Sequence, residues 1–275
     1  MNKYLQLFRI GNAAMGIIGV TVASFMASGT GIAEHWVNLI ISAVVVFMFI
    51  AGGNSLNDSI DAEIDKTAHP ERPVPSGRMT AAEARRVGGV MLAGSVAVSV
   101  LTFDLKCIAI VAIACAMMVA YELRLKQRGF VGNLTIAALT GMTFLMGGAV
   151  VHNAEGNAVV ALMAALVSVG REIAKDIEDM EGDEGRSTLP MRIGPRKAAA
   201  VASAFFVAGP ALSVMPMVWN SYGPLYYLVV VADAVFVYCA YKVFSDPHKA
   251  QSLAKKAMLI ALVAFILGVA IPWPS

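Results

Sequence analysis

Charged side chains are scarce in this chain: Asp, Glu, Lys and Arg make up 15% of its 275 residues, against 58% hydrophobic residues and a mean hydropathy of +0.69. Soluble domains carry about 25% charged residues, so the scarcity excludes a water-soluble globule and a disordered chain alike. Cysteine is scarcer still. Cys107, Cys115 and Cys239 all lie inside apolar runs; an odd number at such positions excludes a disulfide-stapled secreted fold and reads as small core side chains. The four histidines, His35, His69, His152 and His248, stand singly and offer no histidine-based metal centre. A net charge of +2 calls for no nucleic-acid partner, and nothing in the sequence asks for an obligate protein partner.

What is present in quantity is apolar sequence in membrane-length pieces. A bilayer core of about 30 Å needs about 20 apolar residues per helix. Nine stretches come near that: Ile10–Ala27, Trp36–Gly53, Val87–Phe103, Cys107–Tyr121, Leu134–Val151, Ala158–Gly170, Ala198–Trp219, Leu225–Tyr241 and Ala257–Trp273. The fourth and sixth are short, but each runs into a polar segment able to extend the helix. The first is not a removable signal peptide, since Arg9 and Asn12 stand at its start and no small-residue cleavage pattern follows.

The few charges are sorted. Of the 21 Lys and Arg residues, all but Lys106 fall in the N-terminus and in loops 2–3, 4–5, 6–7 and 8–9, on one side of the predicted membrane. By the positive-inside rule that side is cytoplasmic, which predicts an all-α integral membrane protein of nine transmembrane helices with its N-terminus in the cytoplasm. The chain reads as one domain over residues 1–275.

Acidic residues are sorted too. Asp58, Asp61, Glu63 and Asp65 follow the second span; Glu172, Asp176, Glu178, Asp179, Glu181, Asp183 and Glu184 follow the sixth. Both segments read Asp-x-x-Asp-x-x-x-Asp, and one offset of 118 residues relates 58 to 176, 61 to 179 and 65 to 183. It also relates Asn54 to Glu172, which points to an internal repeat with a four-helix period. At about 100° per residue, positions 54, 58, 61 and 65 fall within roughly 60° on a helix, as do 172, 176, 179 and 183. Each cluster should present one oxygen-rich stripe, with Glu63, Glu178 and Glu181 solvated. Carboxylates so close need cations, and all-oxygen ligation suits Mg²⁺ completed by substrate phosphates.

The loops beside these clusters are basic. Pro70 to Arg78 holds three prolines, Arg72 and Arg78; Tyr121 to Arg128 holds Arg124, Lys126 and Arg128. Arg72, Arg78 and Lys126 suit a diphosphate leaving group, whose charge grows as its C–O bond breaks. Arg124 and Arg128 fit that role or simple positive-inside anchoring.

The run Asn57-Asp58-Ser59-Ile60-Asp61-Ala62-Glu63-Ile64-Asp65, continued by Arg72-Pro73-Val74-Pro75-Ser76-Gly77-Arg78, resembles the first aspartate motif of the intramembrane UbiA-type prenyltransferases. Asp179-Met180-Glu181-Gly182-Asp183 resembles their second. The likeness spans essentially the whole chain. The stretch Arg171 to Asp183, with Thr188-Leu189-Pro190 and Glu63-Ile64-Asp65-Lys66, is most similar to the archaeal digeranylgeranylglyceryl phosphate synthases.

That resemblance implies nine helices around a central cavity, a multi-pass enzyme of the plasma membrane, and an active site at the cytoplasmic side. The implied reaction is Mg²⁺-dependent transfer of a geranylgeranyl group from its diphosphate to the hydroxyl of geranylgeranylglyceryl phosphate. Carried over by position, Asn57, Asp61, Asp65, Asp179 and Asp183 become metal and diphosphate ligands, with Asp61, Asp65, Asp179 and Asp183 the catalytic set; Asp58, adjacent, and Asp176, an added carboxylate on the same stripe, join them as metal-ligand candidates. Arg9 and Asn12 resemble the Arg and Asn that many members place near the diphosphate; with Asn57, Arg72, Arg78 and Tyr121 they are the substrate-binding candidates, and this chain's own surplus of positive side chains adds Lys66, Lys126 and Lys175 as cations that a phosphorylated acceptor needs. Where many members have a proline after the Arg matched by Arg9, this chain has Ile10.

Two rival readings remain at this stage. A secondary transporter would also use repeats and buried carboxylates, but near the bilayer midplane rather than at helix ends. An aromatic prenyltransferase of a quinone, tocopherol or chlorophyll pathway would share both motifs and differ in its acceptor pocket. Asp233, the lone carboxylate well inside a span, fits either a helix–helix hydrogen bond or a site role.

Overall fold

A computed structural model describes residues 2–180 and 187–273. Among these residues every regular element is helical, and eight stretches are long and apolar enough to cross a membrane. The first of them, Ile10–Ile60, is 51 residues long and comprises two α-helices joined by a 3₁₀ segment, Gly29–His35. We label the long helices α1 (Ile10–Ser28), α2 (Trp36–Ile60), α3 (Ala81–Ser99), α4 (Leu105–Ala120), α5 (Phe130–Val150), α6 (Ala158–Glu178), α7 (Pro195–Ala211), α8 (Val229–Lys242) and α9 (Pro247–Ala270). The chain is an all-α integral membrane protein.

Several helices start before their apolar runs because polar side chains cap them. Thr80 and Glu83 form a capping box that begins α3, Asp104 caps α4 through the Cys107 amide, and Asp246 caps α9 ahead of Pro247. Lys249, Lys255 and Lys256, expected in a loop, therefore stand on α9, and Arg85 and Arg86 stand on α3. Helix α6 runs through its polar segment to Glu178, and α2 runs past Gly53 to Ile60.

Short connections make consecutive helices antiparallel neighbours. α2 packs chiefly on α3, α6 on α5 and α7, and α8 on α9, while α1 lies against α2, α5 and α9. Lipid supplies no hydrophobic drive between helices, so close approach depends on small residues. Gly88 on α3 illustrates this: a methyl group there would come within 3.0 Å of the Gly52 carbonyl oxygen and the Leu56 nitrogen of α2. The alternation brings the start of α1, the ends of α2, α4, α6 and α8, and the starts of α3, α5, α7 and α9 to one end of the bundle. That end, called here the motif end, carries both aspartate motifs. Apolar cavities lie in the bundle, one of about 100 Å³ among α1, α2, α4 and α5 and another of about 270 Å³ among α5, α6, α7, α8 and α9.

Candidate active site

The first motif does not continue one helix. α2 stops at Ile60, and Asp61 is its C-terminal cap; Asp65 opens a separate turn, Asp65–Ala68. The expectation of an unbroken helical stripe from 54 to 65 is corrected accordingly. Helical spacing nonetheless persists in the backbone, because the Asp61 amide donates to Asn57 O (2.9 Å) and the Asp65 amide to Asp61 O (2.8 Å). Asn54 leaves the stripe to donate to Phe8 O (3.1 Å), which ties the N-terminal segment to α2.

Each carboxylate of this motif has its own cation. Asp58, 1% exposed, accepts a hydrogen bond from Arg9 at 2.5 Å and lies 3.7 Å from Arg72. Buried Asp65 accepts from Arg72 at 2.6 Å, and Asp61 is paired with Lys126. Buried carboxylates cost several kcal/mol each unless paired, so these cations are structural requirements as well as potential ligands for an anion. Arg9 reaches Asp58 from a left-handed backbone conformation, φ 49° and ψ 63°, one of four such non-glycine positions among the described residues. A side chain held there costs about 1–3 kcal/mol and marks a position fixed by its surroundings.

The π-helical turn Tyr121–Leu125 extends α4 and closes with the Lys126 amide on Tyr121 O at 2.9 Å. Such turns concentrate at functional sites. From this turn Glu122, buried, accepts from Asn57 Nδ2 at 3.1 Å and sits 3.6 Å from Lys126, while Asn57 also donates to Asp61 at 3.0 Å. Asn57, Asp58, Asp61, Asp65, Glu122, Arg9, Arg72 and Lys126 thus form one network of four carboxylates, one amide and three cations. Glu122 was not among the candidates. The signal for it was available, since Glu122 and Lys126 are four residues apart where a membrane helix ends.

The second motif is reached through α5 and the loop before it. Asn133, near the start of α5, donates to Asp176 at 2.8 Å. Gly129, at φ +55°, lies so close to the segment after the second motif that a methyl group there would fall 2.3 Å from Ser187 O. The Lys126 loop is thereby seated against the chain that follows the second aspartate run. Asp179 caps α6 and is exposed, as is Lys175. Asp183 lies outside the described residues, as does Glu181. Glu178 is exposed, as expected, and from the surface accepts from His248 (2.5 Å) and Gln251 (3.2 Å), linking α6 to α9.

Other candidates are not drawn into the network. Lys66 pairs with exposed Glu63 at 2.7 Å, since both stand on the outer side of the turn after α2. Arg78 donates to Gln6 (2.6 Å) and to Glu71 O (2.5 Å), fastening the proline-rich loop to the N-terminal segment. Asn12 is exposed, one turn beyond Arg9. Tyr121 begins the π turn. Asp233 accepts from Ser213 Oγ at 2.7 Å, a contact between α8 and the end of α7.

The donor set suits a hard cation. All carboxylate and amide ligands offered by the two motifs are oxygen donors, and Mg²⁺ commonly takes one or two carboxylates with substrate phosphates completing its shell. Among the described residues no three His, Cys, Asp or Glu side chains converge as a metal cage. The motif carboxylates lie at helix ends rather than at mid-bundle, against the transporter reading.

Known proteins match this chain in sequence and in fold. The sequence profile of the UbiA prenyltransferase family matches residues 17–266. The digeranylgeranylglyceryl phosphate synthase of Thermococcus gammatolerans is 37% identical over 98% of this chain and 98% of its own. A solved structure of a digeranylgeranylglyceryl phosphate synthase superposes with a TM-score of 0.89 at 31% identity, covering 98% of both chains. A UbiA homolog from Archaeoglobus fulgidus bound to GPP and Mg²⁺ shares the fold at 15% identity and TM-score 0.69, covering 98% of this chain and 99% of its own.

Proposed function

The chain belongs to the UbiA prenyltransferase family, and from that premise we propose that it transfers a geranylgeranyl group from geranylgeranyl diphosphate to the free hydroxyl of geranylgeranylglyceryl phosphate. The observation that carries this reading is the network at the motif end, where Arg9, Arg72 and Lys126 interleave with the first aspartate motif directly above an apolar interior.

In this reading Asn57, Asp58, Asp61 and Asp65 of the first motif and Asp176, Asp179 and Asp183 of the second would hold Mg²⁺, which when bound supplies the positive charge that a departing diphosphate needs. The chain's own residues do the rest. Arg9, Arg72 and Lys126 pair with carboxylates in the structure and can turn to the diphosphate once the carboxylates are otherwise neutralised, stabilising the leaving group as its charge grows. Glu122 holds Asn57 and Lys126 in place. The allylic C–O bond breaks, the acceptor hydroxyl oxygen bonds to the primary carbon of the allylic cation, and the hydroxyl proton passes to the released diphosphate. The apolar interior keeps water from capturing the cation.

We further place the motif end in the cytoplasm of a plasma-membrane enzyme, because nearly all Lys and Arg gather there. We read α1 and α2 as two separate crossings, nine in all, within a single domain. The exposed Lys66 and Lys175 would meet the acceptor's phosphate at the rim. The test is to incubate the purified protein with both lipids and Mg²⁺ and follow diphosphate release and the ether product by mass spectrometry. Both should appear together and both should stop with EDTA; release without an ether product would refute acceptor transfer.

A further inference from the structure

Two adjoining grooves open at the motif end where α7 starts beside the turn from α8 to α9. Pro195, Arg196 and Phe244 line both, and their volumes are about 490 and 500 Å³. Ligand sites commonly occupy about 300–1,000 Å³, so either groove has room for a headgroup. None of the described motif carboxylates lines them. Their walls are largely apolar: Ala199 and Val243 are buried in the second, and Ala200 and Phe244 are exposed in the first.

Two cations stand in these grooves without a counter-charge. Arg196 lines both and Lys197 the first, both are exposed, and neither is ion-paired with any described residue. Arg9, Arg72 and Lys126, by contrast, are each held by a carboxylate. Carboxylates around the grooves are already engaged. Asp246 lies 4.0 Å from Lys242 and caps α9 through the Lys249 amide, and Glu178 accepts from His248. The first turn of α7 also holds no acidic residue, although helix starts favour anions and disfavour cations. Arg196 and Lys197 thus make a positive spot that only a bound anion would neutralise.

Depth in the membrane says which anion. The apolar run of α7 begins at Ala198, so Arg196 and Lys197 stand at the level where headgroups meet hydrocarbon. Met191, Ile193 and Phe244, all exposed, are interleaved with Arg192 and these two cations. A soluble anion gains nothing from such apolar neighbours; a lipid with a charged head uses both.

We propose that the paired grooves hold one anionic glycerophospholipid of the leaflet on the motif side, its phosphate on Arg196 and Lys197 and the upper part of a chain against Ala200 and Phe244. The guanidinium takes phosphate oxygens in pairs and the ammonium adds a point charge. The bound lipid ties the start of α7 to the α8–α9 turn, beside the reaction site rather than within it. This assignment does not depend on which acceptor the enzyme uses.

Native mass spectrometry of the full chain in a neutral maltoside detergent tests it, with phosphatidylglycerol as the anionic probe and phosphatidylcholine as the zwitterionic one. The wild type should retain one phosphatidylglycerol with about tenfold or greater preference over phosphatidylcholine. Arg196→Gln with Lys197→Gln should bring that preference to within about twofold. Ala200→Trp, which keeps both charges and fills the first groove from an exposed position, should also release the lipid. Arg85→Gln with Arg86→Gln removes the same charge from the start of α3, at the same end of the bundle, and should retain lipid as the wild type does. Unchanged thermal unfolding of the lipid-free variants separates lost binding from misfolding. Equal loss in the Arg85 and Arg86 control, or equal retention of the two lipids by the wild type, would mean diffuse attraction to a basic face and would overturn the site. Displacement by inorganic phosphate would reveal an anion site without a lipid requirement, and displacement by geranylgeranyl diphosphate with Mg²⁺ would put the lipid at the aspartate motifs; either contradicts the proposal.

Discussion

Lys126, on the turn that ends α4, is ion-paired with Asp61, the residue that caps α2, and this one contact joins two helix ends 65 residues apart in sequence. Its partner Glu122 is buried and shares Asn57 with Asp61. Lys126→Met should therefore cost more than a rim charge. Removing a charge-assisted contact of this kind is worth about 1.5–3 kcal/mol, or roughly a tenfold to hundredfold loss of turnover. Steady-state kinetics should show that loss, and a change of less than twofold would remove Lys126 from the site.

Glu122 and Glu63 provide a matched pair of neutralising changes. Glu122→Gln alters a carboxylate inside the network and should cut turnover by about tenfold or more, whereas Glu63→Gln, at a side chain 83% exposed and paired with Lys66 at the surface, should stay within about twofold. Equal losses would mean that the network around Asn57 has no bearing on the reaction.

Arg9 is expected to matter for folding as well as for substrate. Its removal leaves Asp58 buried with only Arg72 nearby at 3.7 Å, and breaking a buried pair costs about 3–5 kcal/mol. Thermal unfolding in detergent should show Arg9→Ala clearly destabilised, and the double variant Arg9→Ala with Asp58→Asn should recover part of the loss. Independent, additive losses would contradict a paired role.

At the opposite end of the bundle, Asp104 caps α4 and meets His152 at 2.9 Å. Burial pushes its carboxyl up, but the Cys107 amide and His152 outweigh burial and hold it below the ordinary carboxylate range. A lowered folded value means that its contribution to stability is present above the unfolded pKa, about 3.9, and fades as pH falls through the folded value. Asp104→Ala should thus lower stability by about 1 kcal/mol at neutral pH and by progressively less below pH 4. A difference that grows on acidification would contradict this sign.

Much of the architecture was legible because lipid imposes simple rules. Length, hydropathy and the placement of Lys and Arg located the long helices, and the spacing of Asp58, Asp61 and Asp65 against Asp176, Asp179 and Asp183 exposed the repeat. Helix ends were less legible, since caps such as Thr80, Asp104 and Asp246 extend helices through polar residues that hydropathy assigns to loops. Glu122 and Asn133 were missed for another reason: their partners, Asn57 and Asp176, lie 65 and 43 residues away, and only packing brings them together. Conversely, Lys66 and Arg78 looked like site residues from their loops, yet nearer partners, Glu63 and Gln6, hold them.

The central claim concerns the acceptor, and one ratio tests it: kcat/KM for geranylgeranylglyceryl phosphate over kcat/KM for 4-hydroxybenzoate, measured with geranylgeranyl diphosphate and Mg²⁺ on the purified enzyme. A phosphorylated lipid acceptor brings its own chain and charge to the motif end, so the ratio should exceed about a hundredfold, equivalent to roughly 2.7 kcal/mol of discrimination. Ready prenylation of 4-hydroxybenzoate with no reaction of the glycerol-phosphate lipid would contradict the ether-lipid assignment while leaving membership of the prenyltransferase family intact.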